Sequence, residues 1–520
     1  MTKTLFGTMR RLLPFLCLFT ALRGAAQGPV SFPSLDPDPQ AAAFALRGSG
    51  GHSWESLAAI SIWASRTESP DGAGEDANLL MERIRSAAAE LSGEIAAPDP
   101  SAGASAVDAG TLGEYILTFM HKKFLKSYSL LQTRVDTLLL NGRYNCVSSA
   151  VLYLILAQAA GLETQGVMTR DHAFVAVKAK EEWIDVETTN PYGFDPGNRK
   201  DFHDQFGRIT GFAYVPAKNY RDRTFISSLE LVSLILSNRI AALEKAGRFA
   251  EAVPLAVNRY ALLEGRTGAA PAAELFEDPY KYMMNRIFNY GASLINRGKE
   301  EEALRWAVYA GAKYPDGERW QEFIAAVINN RLVKFFRQGD TAKGRAFLDA
   351  NAALLNPANY RKLHALTLDA ELVERTSGLR GGAETIRGEA GALLDTIGDA
   401  EKETFLDEDR AAELRTAVIG KTAEILAGGE TGTADWSAAI AWLESALRRY
   451  GPNRRLEQTL TACRTNHGVE FHNRFAAAWN RKDFDGAKKI LAEGLALYPG
   501  NRQLLSDKRT VEQKEKPRPP

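Results

Sequence analysis

Cysteine is scarce: the chain has three in 520 residues. A disulfide-framed scaffold needs several pairs, so that class is excluded. An excess of either charge is missing too. Lys and Arg number 64 and Asp and Glu number 64, giving a formal net charge of zero. A protein that binds nucleic acid through its overall field carries a basic excess, so no nucleic-acid partner is expected. Outside the N-terminal leader no apolar run reaches transmembrane length. The remainder, 45% apolar and 25% charged, is the composition of an ordinary soluble protein. At this length two to four domains are expected.

The first residues read as an export signal. Lys3, Arg10 and Arg11 supply the positive start, and Leu12 to Leu22 the apolar stretch. Gly24-Ala25-Ala26 offers small residues for cleavage, so 1–27 is assigned as a signal peptide. The expected location is periplasmic or secreted, with membrane contact only through an uncleaved leader. Cys17 would be discarded with it. The mature chain then keeps Cys146 and Cys463. A free thiol outside the cytoplasm is a liability unless it is buried or used, which directs attention to Cys146.

Residues 28–109 read as a helical region ending in a small-residue and proline linker, Ala96 to Asp108. Residues 110–223 read as an α+β domain. Cys146 to Ala160 is a near-continuous apolar helix stopped by Gly161. Gln165–Thr169, Ala173–Ala179 and Trp183–Thr188 are strand-like, the last two joined by Lys180-Glu181-Glu182 as a hairpin. From 224 to 507 strands disappear and helix pairs recur around Ala252, Ala303, Gly344, Ala439 and Ala487. Residues 508–520 read as a charged, disordered tail.

Three groups in the α+β region fit one chemistry. Cys146 at a helix start stands at the positive end of the helix dipole, a position that stabilises an anion. The first-turn N–H groups have no intrahelical acceptor and can donate to an oxyanion, which singles out Asn145 and Val147 as cleft residues. His172, opening the next strand, can take the thiol proton. Given a turn near Lys180, a residue near Glu187 or Thr188 should lie opposite His172. Glu187 is therefore the first choice to orient the imidazole. Asp185, two residues away on the same face, is the reserve.

Asn145-Cys146, the helix closed by Gly161-Leu162, His172-Ala173-Phe174 and Trp183-Ile184-Asp185-Val186-Glu187-Thr188 together resemble the transglutaminase-like superfamily of papain-fold cysteine enzymes. The family register, Trp then an acid four residues on, falls on Glu187; Glu stands where the family has Asp. The helix pairs resemble tetratricopeptide repeats: Ala487 has Ala478, Phe484 and Pro499 at −9, −3 and +12, and Ala303 has Leu294, Glu300 and Pro315 at the same offsets. The implied fold is a papain-like domain followed by a helical solenoid. The implied activity is amide or peptide hydrolysis through a thioester on Cys146, needing no metal or cofactor, with a protein or peptide substrate. The repeats would hold a protein partner. The alternative is a non-catalytic interaction scaffold whose front domain is inactive.

Two weaker groupings read as ordinary packing and surface. Cys463, His467 and His472 are metal-ligand types, but their spacing leaves one helical face. His121, Lys122, Lys123 and Lys126 form a basic cluster that suits a solvated helix face.

Overall fold

A computed structural model describes residues 31–47, 52–66, 76–96, 108–197, 200–210, 223–264, 276–428 and 434–515. The leader, Cys17, most of the expected linker and 516–520 lie outside the described residues. Of those described, 74% are helical and 6% are strand. Contacts divide the chain after Pro315.

The first unit contains eleven described helices: α1 (Pro39–Arg47), α2 (Trp54–Arg66), α3 (Ala77–Ala96), α4 (Ala109–Lys123), α5 (Val135–Asn141), α6 (Cys146–Ala159), α7 (Lys200–Thr210), α8 (Ser228–Lys245), α9 (Phe249–Leu263), α10 (Pro279–Asn296) and α11 (Glu300–Lys313). Its strands are short. β1 (Ser127–Tyr128) pairs in parallel with β2 (Arg143–Tyr144). β3 (Thr164–Met168), β4 (Ala173–Ala179), β5 (Glu182–Val186) and β6 (Thr224–Ile226) form an antiparallel sheet in the order β5-β4-β3-β6.

Helix α6 is the centre of this unit. Its residues 146–157 are all buried. It packs against α2, α3, α4, α5, α8 and the sheet strands β3 and β4. An amphipathic stripe would leave one side without a match, so the sequence is apolar all round. Each buried Val, Leu or Ile here contributes roughly 1.5–3 kcal/mol relative to exposure. The ends are set locally. Asn145 caps the start in a reciprocal capping box with Ser148, and Gly161 at φ 83° lets the chain leave.

This arrangement corrects the expected fold class. The strands lie where the sequence put them, but they do not make a separate α+β, papain-like domain over 110–223. β6 lies beyond that boundary and pairs with β3. α8, the first expected repeat helix, packs on α2, α6 and β3. α2, expected outside the domain, packs on α6 and α8. The sheet is too small to bury α6 alone, so helices from both sides in sequence complete the core. The four helices α8 to α11 belong with this unit, which breaks up a single solenoid over 224–507.

The second unit, from Asp316, contains nine described helices: α12 (Gly317–Arg337), α13 (Thr341–Asn351), α14 (Pro357–Ser377), α15 (Ala383–Lys402), α16 (Glu408–Leu426), α17 (Trp436–Tyr450), α18 (Arg454–Asn480), α19 (Phe484–Leu497) and α20 (Arg502–Glu515). Most pack on their neighbours in sequence. Small residues sit where helices close: Ala439 and Ala487 are fully buried, and a Cβ on Gly344 would lie 2.6 Å from the Phe336 ring. In the first unit Ala252 and Ala303 are likewise buried. The expected tail is partly helix: α20 runs to Glu515, held by Leu504 and Val511 against Phe471 and Phe475. An i, i+7 apolar pair inside a charged run was enough to dock it. No helix among the described residues is long and apolar enough to cross a membrane.

Candidate functional site

The turn before α6 is built first. Gly142, at φ 79°, ends α5 and offers its carbonyl to the N–H of Lys126 and Ser127. That stitches β1 beside β2. Ser129 N–H then donates to Tyr144 O at 2.8 Å, and Asn145 Nδ2 to Leu130 O at 3.1 Å. Cys146 follows as the first helical residue, 9% exposed and not in a disulfide.

The histidine comes from a tight connection between β3 and β4, closed by Thr169 N–H on His172 O at 2.9 Å. β4 and β5 form a two-residue hairpin at Lys180-Glu181, with Lys180 at φ 56°. Its register pairs Ala176 with Asp185 and Val175 with Val186. Beyond Val186 the chain folds back. Glu187 N–H donates to Gly193 O at 2.7 Å, and Val186 bridges Phe194. Gly193 is required: a Cβ there would lie 1.9 Å from the Glu187 carbonyl oxygen.

The structure brings Cys146, His172 and Glu187 together. Glu187 Oε2 lies 2.5 Å from His172 Nε2, and the Cys146 thiol lies close enough to the imidazole to act on its ionisation. Glu187 is 1% exposed, and its other oxygen accepts from Thr189 N–H at 3.2 Å and Thr189 Oγ1 at 2.7 Å. Burial by itself pushes His172 down. The Glu187 charge, then the hydrogen bond and charge of Cys146, outweigh it and hold the imidazole well above its usual range.

Asp185 is engaged elsewhere. It makes a two-point ion pair with Arg223, whose guanidinium also lies over the Phe174 and Phe225 rings. The acid reaches His172 by a different route from the one expected. Continuing the hairpin register would set Thr189 opposite His172, with Glu187 two positions along. Such a diagonal spans about 7–8 Å, which a glutamate covers better than an aspartate.

Asn145 serves the turn and not the cleft. Its Oδ1 accepts Ser148 N–H at 3.0 Å while Nδ2 is spent on Leu130 O. Of the three N–H groups ahead of the first intrahelical bond, Ser148's is taken by the Asn145 side chain, leaving those of Cys146 and Val147.

Several site residues escaped the sequence reading. His121 is not part of a solvated face: Nε2 donates to Thr188 O at 3.0 Å, and burial pushes its ionisation down to about 4. The signal was present, since Leu117 and Phe124 at −4 and +3 are buried on the same helix side. Lys122, Lys123 and Lys126 do face solvent. Tyr144 donates to Thr189 O, and burial with the Glu187 charge pushes it up to about 12. Phe206 on α7 meets the His172 ring edge-on at 5.9 Å. The loop 190–197 packs inward through Phe194, 5% exposed, beside Gly113.

The other cysteine–histidine grouping is packing. His467 Nδ1 meets Tyr498 Oη at 2.7 Å and His472 Nδ1 meets Asp507 at 2.8 Å, while Cys463 lies in an apolar cluster. No three His, Cys, Asp or Glu side chains among the described residues are grouped to hold a metal.

No family model matches the chain, and no curated protein matches it. Nine chains of solved structures match. One is menin, from a crystal structure described as revealing the binding site for the Mixed Lineage Leukemia protein. The identity is 15%, the TM-score is 0.29, and the match covers 75% of this chain and 99% of menin. The helical content and packing of the structure itself correct the transglutaminase-like and tetratricopeptide assignments: the chain is mostly helical and repeat-like, with no distinct papain-like domain among the described residues.

Proposed function

We propose that this chain is a helical scaffold that binds a protein partner. The observation that supports it is the second unit, nine described helices packed largely in sequence order, as in stacked helical repeats. Large apolar side chains stand out on it: Val373 is 41% and Leu497 58% exposed. The test is site-specific photo-crosslinking from Val373 and Leu497 in the full chain, with buried Leu348 as control. A discrete adduct from the exposed positions is expected. Adducts no different from the Leu348 control would sink the reading.

One observation favours a second reading, the Cys146–His172–Glu187 relay. In it Cys146 attacks a carbonyl carbon and forms a thioester. His172 carries the thiol proton to the leaving group, and Glu187 holds the imidazole in place. Water or an amine would then take the acyl group. A peptide chloromethyl ketone that labels Cys146, with labelling lost in Cys146→Ala, is the expected result. A thiol that reacts with iodoacetamide but never with acyl-mimicking reagents would overturn it. The leader supports an exported location under either reading.

A further inference from the structure

Tyr128 is half-buried on β1 and the relay just described makes no use of it. Three contacts tie it and the residues after it to the turn that leads into Cys146. It pairs with Tyr144 in the β1–β2 register, two residues before Cys146. Its ring meets that of Tyr144 edge-on at 5.8 Å. The residues after it are tied to the Cys146 turn through Ser129 N–H on Tyr144 O and Asn145 Nδ2 on Leu130 O. Among the described residues no group accepts the Tyr128 hydroxyl. Tyr144 differs, since its hydroxyl is spent on Thr189 O.

We infer that the Tyr128 hydroxyl is an oxyanion donor, working with the backbone N–H of Cys146 on the carbonyl oxygen of an acyl substrate. The inference rests on the acyl-transfer reading of the Cys146 site. The chemistry requires such a group. When the sulfur forms its bond to the carbonyl carbon, the C=O pair moves onto oxygen, and that charge must be met by aimed donors. When the oxyanion collapses, C=O re-forms, the leaving group departs with its bonding pair, and the thiol proton held by His172 goes to it or to water. Asn145 holds its amide in the turn, with Oδ1 on Ser148 N–H and one Nδ2 hydrogen on Leu130 O. A phenol with no protein acceptor is free to donate. Burial, then the Cys146, Glu187 and Tyr144 charges, raise the Tyr128 ionisation, so the hydroxyl keeps its proton at neutral pH.

The test uses the full chain with p-nitrophenyl acetate, reading the release of nitrophenolate, and iodoacetamide in parallel. Alkylation by iodoacetamide displaces iodide at a saturated carbon and forms no oxyanion. Tyr128→Phe removes one hydroxyl that has no acceptor in the protein, so the fold and Tm should be unchanged. The expected result is an acylation rate reduced at least about tenfold, within the 10²–10³ that one such donor commonly supplies, and an unchanged alkylation rate. Equal slowing of both reactions would assign Tyr128 to the thiol itself and overturn the inference. Unchanged acylation in Tyr128→Phe, with wild type reactive, would overturn it alone. A wild type no faster than Cys146→Ala would overturn the acyl-transfer reading and this inference with it.

Discussion

Two histidine–carboxylate pairs in this molecule have similar lengths and different surroundings. His172–Glu187 spans 2.5 Å with side chains 12% and 2% exposed; His472–Asp507 spans 2.8 Å with 32% and 9%. In the first, the carboxylate is clamped by Thr189 and the loop closed at Gly193, and the Cys146 thiol lies near the imidazole. In the second, one helix of the last three is tied to another. The difference teaches that a histidine–acid contact is not itself a site. A site needs a third reacting group and a shell that holds all three, at a cost in buried polar atoms. That cost is visible at Asn190, fully buried next to the clamp with Nδ2 unpaired.

The comparison can be broken most severely at Gly193. Gly193→Ala forces a Cβ onto the Glu187 carbonyl, so unfolding should cost roughly 3 kcal/mol less and Cys146 should lose its reactivity. Denaturant melts and alkylation would check both. Stability and reactivity near wild type would mean that the clamp is not what holds Glu187.

The two thiols sharpen the contrast next. Cys146 and Cys463 are 9% and 5% exposed, so access alone would label them alike. Burial pushes Cys463 up, while Cys146 has an imidazolium beside it. Limited alkylation at pH 7, read by peptide mass, should favour Cys146 on the order of 100-fold. Equal labelling would remove the case for an activated sulfur.

Glu187→Gln should slow Cys146 alkylation by roughly tenfold at pH 7, because His172 loses the charge that holds its proton. Asp185→Asn should leave that rate alone, since its carboxylate serves Arg223. The reverse ranking would restore Asp185 as the orienting acid.

A smaller effect is the pH dependence of stability. His172 ionises above its usual 6.5 in the folded chain. Its pairing therefore contributes fully below the unfolded value and is lost as pH rises through the folded one. The Tm gap between wild type and His172→Gln should narrow from pH 6 to pH 9. A gap constant over that range would show that the ring carries no proton. Asp507→Asn, the counterpart in the other pair, should leave the alkylation rate of Cys146 untouched.

Much of the candidate site could be read along the chain because its parts are local. Asn145 caps, Cys146 opens a helix and Gly161 closes it, all within the reach of backbone hydrogen bonds. Period-two alternation set His172, Asp185 and Glu187 on one face. The choice of Glu187 over Asp185 came from the expected hairpin register and the family resemblance, whereas the observed register, continued, sets Thr189 opposite His172. The strand ends at Val186, and the diagonal reach to His172 depends on a loop whose closure rests on Gly193. Tyr128, His121 and Arg223 were illegible as site residues, because each acts through a partner far away in sequence.

The fold class divided the same way. Short-range pattern marked the strands between 165 and 188, the apolar run of α6 and the small residues Ala252, Ala303, Ala439 and Ala487. These depend on neighbours within a few turns. What covers α6 is a long-range matter. A helix apolar on every side demands partners all around, and a four-stranded sheet has only one face to give it. The chain met that demand with α2 from upstream and α8 from downstream, drawing the strands into a helical unit that extends to Pro315. Burial of the remaining sides of α6 selects those partners, and no pattern inside α6 itself names them.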